Sequence, residues 1–247
     1  MTNKSQDSIK KALVFSPHPD DHLCCAGTLM FLKDKGFEIH EVVATGGEKG
    51  PWWVSETEKK RDFDKKELKK VRKGEISKAS QIIGIGQTTF LGLPDSKIIR
   101  DPEIIEEMVG IIRKEKPEIV FTFNQKDYHC DHRELSKIAL EALEKASWHY
   151  LPEKGDPWRA PVILLMEGFY FGKAHLVVDI TPYLGRKNKL IDVYRSQINS
   201  RERKLLESMN FYRAFSTRDD KILAAEAFEI PDELPICLNR LIEIFDL

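Results

Sequence analysis

The chain has 247 residues, 41% hydrophobic and 9% aromatic, with 14 glycines and 12 prolines. That length fits one large domain or two small ones and can bury about 70% of its extended-chain surface, so folding requires no disulfide or metal staple; the composition excludes collagen, coiled coil and bulk disorder. Its 39 basic and 40 acidic side chains leave a net charge of −1, so no global field draws it to nucleic acid or to an anionic membrane.

Short apolar runs alternate with amphipathic stretches through the first 150 residues. The predicted strands are Ala12–Ser16, Ile39–Thr45, Thr88–Leu91 and Ile119–Phe123, which are β-rich and bounded by Gly, Pro or charge. Between and after them, His22–Lys35, Lys59–Ile83, Pro102–Lys116 and His132–Ser147 read as helices, with Gly36 and Gly84 as stops and Pro102 in a first turn. This alternation predicts an α/β, Rossmann-like, mostly parallel sheet with helices on both faces. Within it, Glu56–Glu75 carries nine basic and six acidic residues, whose interleaved signs suit an exposed helix better than a phosphate-tracking stripe. Beyond residue 150 come a long loop, strands Val162–Met166 and Leu176–Ile180, helices Tyr183–Gln197 and Arg201–Phe215, and a last strand at Ala224–Ile230. No linker divides the chain, so 1–247 reads as a single domain, with 1–10 flexible and about 150–247 a peripheral part of it.

The four cysteines fit neither a disulfide framework nor a paired zinc-binding CxxC pattern and read as reduced thiols. The first residues lack an apolar signal core, and no run approaches the roughly 18 apolar residues of a membrane span. The expectation is a cytoplasmic enzyme, with homo-oligomerisation open.

Two segments gather the ligand-type residues: Ser16-Pro17-His18-Pro19-Asp20-Asp21-His22 and Asp127-Tyr128-His129-Cys130-Asp131-His132, which hold four of the seven histidines. Each follows a predicted strand, at the end where open α/β sheets bind ligands. In a strand order 3-2-1-4 the two loops would face each other. His18 and Asp21 with His132 make a set of two imidazoles and one carboxylate with an open position, the pattern of a catalytic zinc. Asp20, next to Asp21, can then serve as general base. His129 and His132 project to the same site, so one can bind metal while the other, protonated, steadies an oxyanion, and Asp131 can orient one of these imidazoles. The bland reading of each acidic residue is a helix cap.

As an ordered set these motifs resemble the PIG-L/LmbE-type N-acetylglucosaminyl deacetylases. The likeness extends through Arg72-x-x-Glu75, Ile83-Gly84, Leu91-Gly92-Leu93-Pro94-Asp95, Val178-Asp179-Ile180, Lys189 and Ser196-Gln197. The resemblance implies a Rossmann-like fold and zinc-dependent hydrolysis of an acetamide on a small amino sugar or glycoside. It implies one Zn2+, or another divalent metal such as Fe2+, on His18, Asp21 and His132. It further implies Asp20 as general base, His129 as electrophile with Asp131 as its paired carboxylate, and Arg72 and Asp95 as substrate contacts. The chain departs from the family at His22, where Glu is frequent, and at Tyr194, where His is frequent. Trp52 and Trp53 read equally as a saccharide platform or as packing. GGEKGP lacks phosphate-loop spacing, and no GxGxxG follows the first strand.

Two rival functions share the ligand set. A non-haem iron oxygenase would use the same two histidines and carboxylate, although such sites typically occupy a β-rich jelly roll. A non-catalytic sugar- or metal-binding protein would bind without releasing acetate.

Overall fold

Along β1 (Lys11–Ser16), Ala12 and Val14 enter one apolar cluster while Leu13 and Phe15 enter another, so this strand is buried on both faces. The same alternation holds in β4 (Ile119–Phe123) and β5 (Val162–Met166). A sheet with two buried faces needs helices on both. One face carries α1 (Ala26–Asp34), α2 (Lys65–Ile83), α5 (Leu184–Ile191) and α7 (Leu238–Phe245); the other carries α3 (Pro102–Glu115) and α4 (Cys130–Ala146). The computed structural model describes residues 9–50, 65–232 and 234–245.

With β2 (Glu38–Thr45), β3 (Gln87–Leu93), β6 (Leu176–Asp179) and β7 (Ala225–Glu229), the strand order is β3-β2-β1-β4-β5-β7-β6. The pairings from β3 to β5 are parallel, and β7 runs antiparallel to both β5 and β6. The Rossmann-like α/β architecture is therefore as expected, and β1 and β4 are neighbours, so the loops that follow them meet at the carboxyl end of the sheet.

Three helices differ from expectation. The segment expected to be helical from His22 is a 3-10 turn (Asp21–Cys24) followed by a separate α1, because the α1 amino end is capped from across the fold. Glu226 on β7 accepts from the N–H groups of Gly27 (2.9 Å) and Thr28 (2.7 Å), from the Thr28 hydroxyl (2.6 Å) and from Lys187 Nζ (2.7 Å). The helix expected to reach Gln197 stops at Ile191, since Glu75 draws the N–H (2.9 Å) and hydroxyl (2.6 Å) of Ser196 into another path. The sequence reading missed α7, whose Phe245 stacks on Phe31. α2 is seen from Lys65; its expected start at Lys59 and the pair Trp52–Trp53 lie outside the described residues. The remaining long helix is α6 (Ser200–Ser216), opened by a capping box at Asn199 and Glu202. No described helix is long and apolar enough to cross a membrane.

Lys187 and Glu226 are 2% and 1% exposed at the side chain, and they form a buried ion pair. Lys187→Met should strand the Glu226 carboxylate and lower the urea-unfolding free energy by about 3–5 kcal/mol. A loss below about 1 kcal/mol would show that the backbone donors of α1 suffice for Glu226.

Candidate active site

The sequence ends β1 at Ser16 and turns through two prolines, which places His18, Asp20 and Asp21 at the sheet's carboxyl edge. The loop after β4 leads into α4, where His129 is the N-cap: its Nδ1 accepts the Asp131 backbone N–H (3.2 Å). That bond leaves the His129 Nε2 to carry the proton of a neutral ring. The imidazoles of His18, His129 and His132 lie together, with ring centroids 4.9 Å (His18–His129), 5.6 Å (His18–His132) and 4.8 Å (His129–His132) apart.

Asp21 joins the two loops. Its Oδ2 is 3.0 Å from His18 Nδ1, and its Oδ1 is 3.2 Å from His132 Nε2. Two donors each about 2.0–2.1 Å from a tetrahedral zinc stand roughly 3.3–3.4 Å apart, so each separation, on a different Asp21 oxygen, is close to that of two donors on one cation. The far nitrogens also meet carboxylates: Asp131 Oδ2 is 3.2 Å from His18 Nε2, and Asp127 Oδ1 is 3.3 Å from His132 Nδ1, though the latter is not aligned as a hydrogen bond. Carboxylates behind metal-binding imidazoles are the usual outer support of such sites. Among the described residues, two trios bring ligand-type atoms within 4.8 Å of one another: His18–His129–His132 and His18–Asp95–Asp131. Asp21 lies outside both trios but touches His18 and His132.

The remaining candidates are in the same cluster. Arg72 is buried; its guanidinium pairs with Asp20 Oδ1 and donates to the Gly47 carbonyl (2.9 Å). Gly47 has φ 63°, and a Cβ there would meet the guanidinium, so this approach requires glycine. Asp95 is also buried; it lies 3.5 Å from His18 Nε2 and accepts the Lys49 N–H (2.6 Å). Arg72 and Asp95, expected to contact substrate, thus make their contacts within the site itself. The Asp131 carboxylate faces His18 and the N–H groups of Ser96 (2.7 Å) and Ile98 (3.4 Å), where pairing with His129 was expected; only its backbone N–H serves His129.

Sequence reasoning left out Asp127, which also accepts the N–H groups of His129 (2.8 Å) and Phe169 (2.9 Å). It lay inside the quoted second motif, but no periodicity marked it. The two family departures meet in space. His22 is fully buried, with Nδ1 3.0 Å from the Glu41 carboxylate and Nε2 2.7 Å from the Tyr194 hydroxyl, which also donates to Pro19 O (2.8 Å). Ser16 donates to Glu41 (2.6 Å), completing a buried chain beneath the His18–Asp21 turn. Of the other histidines, His40 bonds Thr89 and His175 accepts the Ile230 N–H, while His149 is exposed. The four cysteines are free.

The charges decide protonation. Burial disfavours a charged His18, but Asp21, Asp131 and Asp95 outweigh it and hold its pKa well above the usual value. His132 is likewise opposed by burial yet raised to about 9 by Asp21 and Asp127. Asp21, despite burial, is held well below the carboxylate range by His132 and His18. Burial, then positive charge at His18 and His132, lowers His129. That shift favours the neutral His129 ring, with an Nε2–H to donate, over the protonated one.

A raised histidine stabilises the folded chain fully below its unfolded pKa of about 6.5 and loses that contribution as pH rises through about 9. Asp21 has the opposite sign: its contribution is present above about 3.9 and is lost only as pH falls through its depressed folded value. Metal-stripped protein should therefore lose on the order of 3 kcal/mol of unfolding free energy between pH 6.5 and 9, and zinc affinity should climb over the same window as protons leave. Denaturant titrations flat across that range would contradict the charge assignment of His132.

Comparison with known proteins agrees with this architecture. The family model described as PIG-L: GlcNAc-PI de-N-acetylase matches residues 13–143, more than half of the chain. The diacetylchitobiose deacetylase of Thermococcus kodakarensis is 27% identical over 208 residues, covering 79% of this chain and 73% of that protein. The solved N,N'-diacetylchitobiose deacetylase of Pyrococcus horikoshii superposes with a TM-score of 0.77 at 26% identity, covering 90% of this chain and 84% of that one. The 4-carboxy-2-hydroxymuconate hydratase GalB of Pseudomonas putida reaches a TM-score of 0.79 over 90% of this chain and 95% of its own, but at 22% identity that likeness concerns the fold alone. With the match running through both histidine loops, the chain belongs to the PIG-L (GlcNAc-PI de-N-acetylase) family.

Proposed function

We propose that this protein is a zinc-dependent hydrolase that removes the acetyl group from an N-acetylglucosamine-type amino sugar or glycoside. The observation that carries the reading is the Asp21 carboxylate lying between His18 Nδ1 (3.0 Å) and His132 Nε2 (3.2 Å), with a second carboxylate, Asp20, next in the chain. His18, Asp21 and His132 would hold the metal, with Asp131 and Asp127 orienting the two imidazoles from behind. When bound, zinc polarises a carbonyl and lowers the pKa of a water to about 7.

The chain's own groups divide the proton work. Asp20, aimed by the Arg72 guanidinium, accepts the proton of the attacking water. The His129 Nε2–H donates a hydrogen bond to the oxygen that gains charge as the carbonyl carbon becomes tetrahedral. A neutral imidazole serving as donor has no spare proton to give, so the proton that reaches the departing amine is the one Asp20 took. The fold argument against the oxygenase alternative stands, since the sheet is helix-flanked and mostly parallel.

His18→Ala, Asp21→Ala and His132→Ala should each lower zinc affinity at least tenfold, read as metal per chain by elemental mass spectrometry, while His129→Ala keeps its metal. Loss of metal from His129→Ala and its retention by Asp21→Ala would assign the metal to the three imidazoles instead.

Asp20→Asn should keep stoichiometric zinc and lower kcat for acetate release by about 10² to 10⁴. Wild-type turnover in this variant, or recovery on adding zinc, would remove Asp20 from the proton-transfer role.

A further inference from the structure

The loop from Glu167 to Lys173, directly after β5, presents Phe169 and Phe171 to solvent at 58% and 47% exposure. Exposed aromatic pairs in a loop usually mark a mobile or contact-making segment, but this loop is staked at several points. Arg213 on α6 binds the Glu167 carboxylate through two nitrogens and the Gly172 carbonyl (3.1 Å). Glu229 on β7 accepts the Lys173 N–H (3.0 Å). Asp127 accepts the Phe169 N–H (2.9 Å) with one oxygen while its other faces His132. A side chain at Gly168 would strike Asp127 and Phe123. The Arg213 guanidinium also lies over the rings of Phe171 (5.7 Å) and Tyr212 (5.2 Å). The anchoring holds both rings at the surface, outside both apolar clusters, and so available for a use outside the core.

Their position gives that use. The Phe169 ring lies 6.5 Å from His129 and 5.9 Å from His132, at 27° and 32° to those imidazoles. Phe171, two residues on, pairs edge to face with Tyr212 at 6.1 Å. In an N-acetylated amino sugar the ring carbon is one C–N bond from the amide, so a carbonyl at the histidines brings the sugar ring within reach of Phe169. Pyranoses carry an apolar face of C–H groups that packs on flat aromatic rings. We propose that this loop is a sugar-stacking ledge, with Phe169 against the ring that bears the acetamide. This inference rests on the deacetylase reading.

Two measurements separate the failure of one from the failure of the other. In acetate-release kinetics with N,N'-diacetylchitobiose, Phe169→Ala should raise KM about 5- to 20-fold while kcat changes less than twofold, and Phe169→Trp should restore KM. In calorimetric titration with the same disaccharide, zinc-loaded Asp20→Asn should bind it, and adding Phe169→Ala should weaken binding by the same factor. Acetate release by the wild type with unchanged KM and affinity in the Phe169 variants would overturn the ledge and leave the deacetylase reading standing. Binding that depends on Phe169 in a protein that releases no acetate would retain the ledge and overturn the reading on which it was built.

Discussion

The site is organised by a single carboxylate placed between two imidazoles. Asp21 lies within 3.0 Å of His18 and 3.2 Å of His132, residues that are 114 apart in the chain. This juxtaposition requires β1 beside β4, both pointing their carboxyl ends the same way. A parallel sheet with helices on its two faces supplies that arrangement. The same requirement explains why the burial of Ala12, Leu13, Val14 and Phe15 alternates between two cores: a strand feeding this site is covered above and below. Two buried imidazoles with carboxylates on both sides are an electrostatic arrangement that wants positive charge, whether supplied by protons or by a dication.

The elements farther along the chain hold that turn in place. Glu226 on β7 caps α1 and binds buried Lys187, fixing the helix that follows the His18–Asp21 turn. Tyr194 reaches the Pro19 carbonyl and His22, and Glu41 completes the polar chain from β2. The turn is thus supported from within the sheet and from the C-terminal region, so the metal-ligand candidates sit on a bracket rather than on a free loop. Asp127 links this bracket to the surface, since one of its oxygens faces His132 and the other fixes Phe169.

Much of this was legible in the sequence where period and position carry information. The alternation of short apolar runs with amphipathic stretches led to the strands, the order 3-2-1-4 entered only as a condition that the sheet meets, and the two histidine motifs at strand ends marked the candidate site. Contacts that depend on distant partners were not legible. The break between the 3-10 turn and α1 is set by Glu226, about 200 residues away, and no local pattern announces it. His22 and Tyr194 each stood out as a departure from the family, yet their bond spans 172 positions. The carboxylate of Asp131 faces His18, whereas the resemblance implied His129, because spacing along a helix start says which residues are near one another but not which way a short side chain turns. Phe169 gave no sequence signal, since an aromatic residue in a loop looks the same whether or not its backbone is anchored.

Zinc-edge anomalous diffraction from a crystal of the zinc-loaded protein tests the central claim most directly. The account predicts a single anomalous peak bounded by His18 Nδ1, the Asp21 carboxylate and His132 Nε2, with Asp131 and Asp127 against the far nitrogens. A peak on His18, His129 and His132 without Asp21, a peak between His18, Asp95 and Asp131, or no peak near these loops would contradict it.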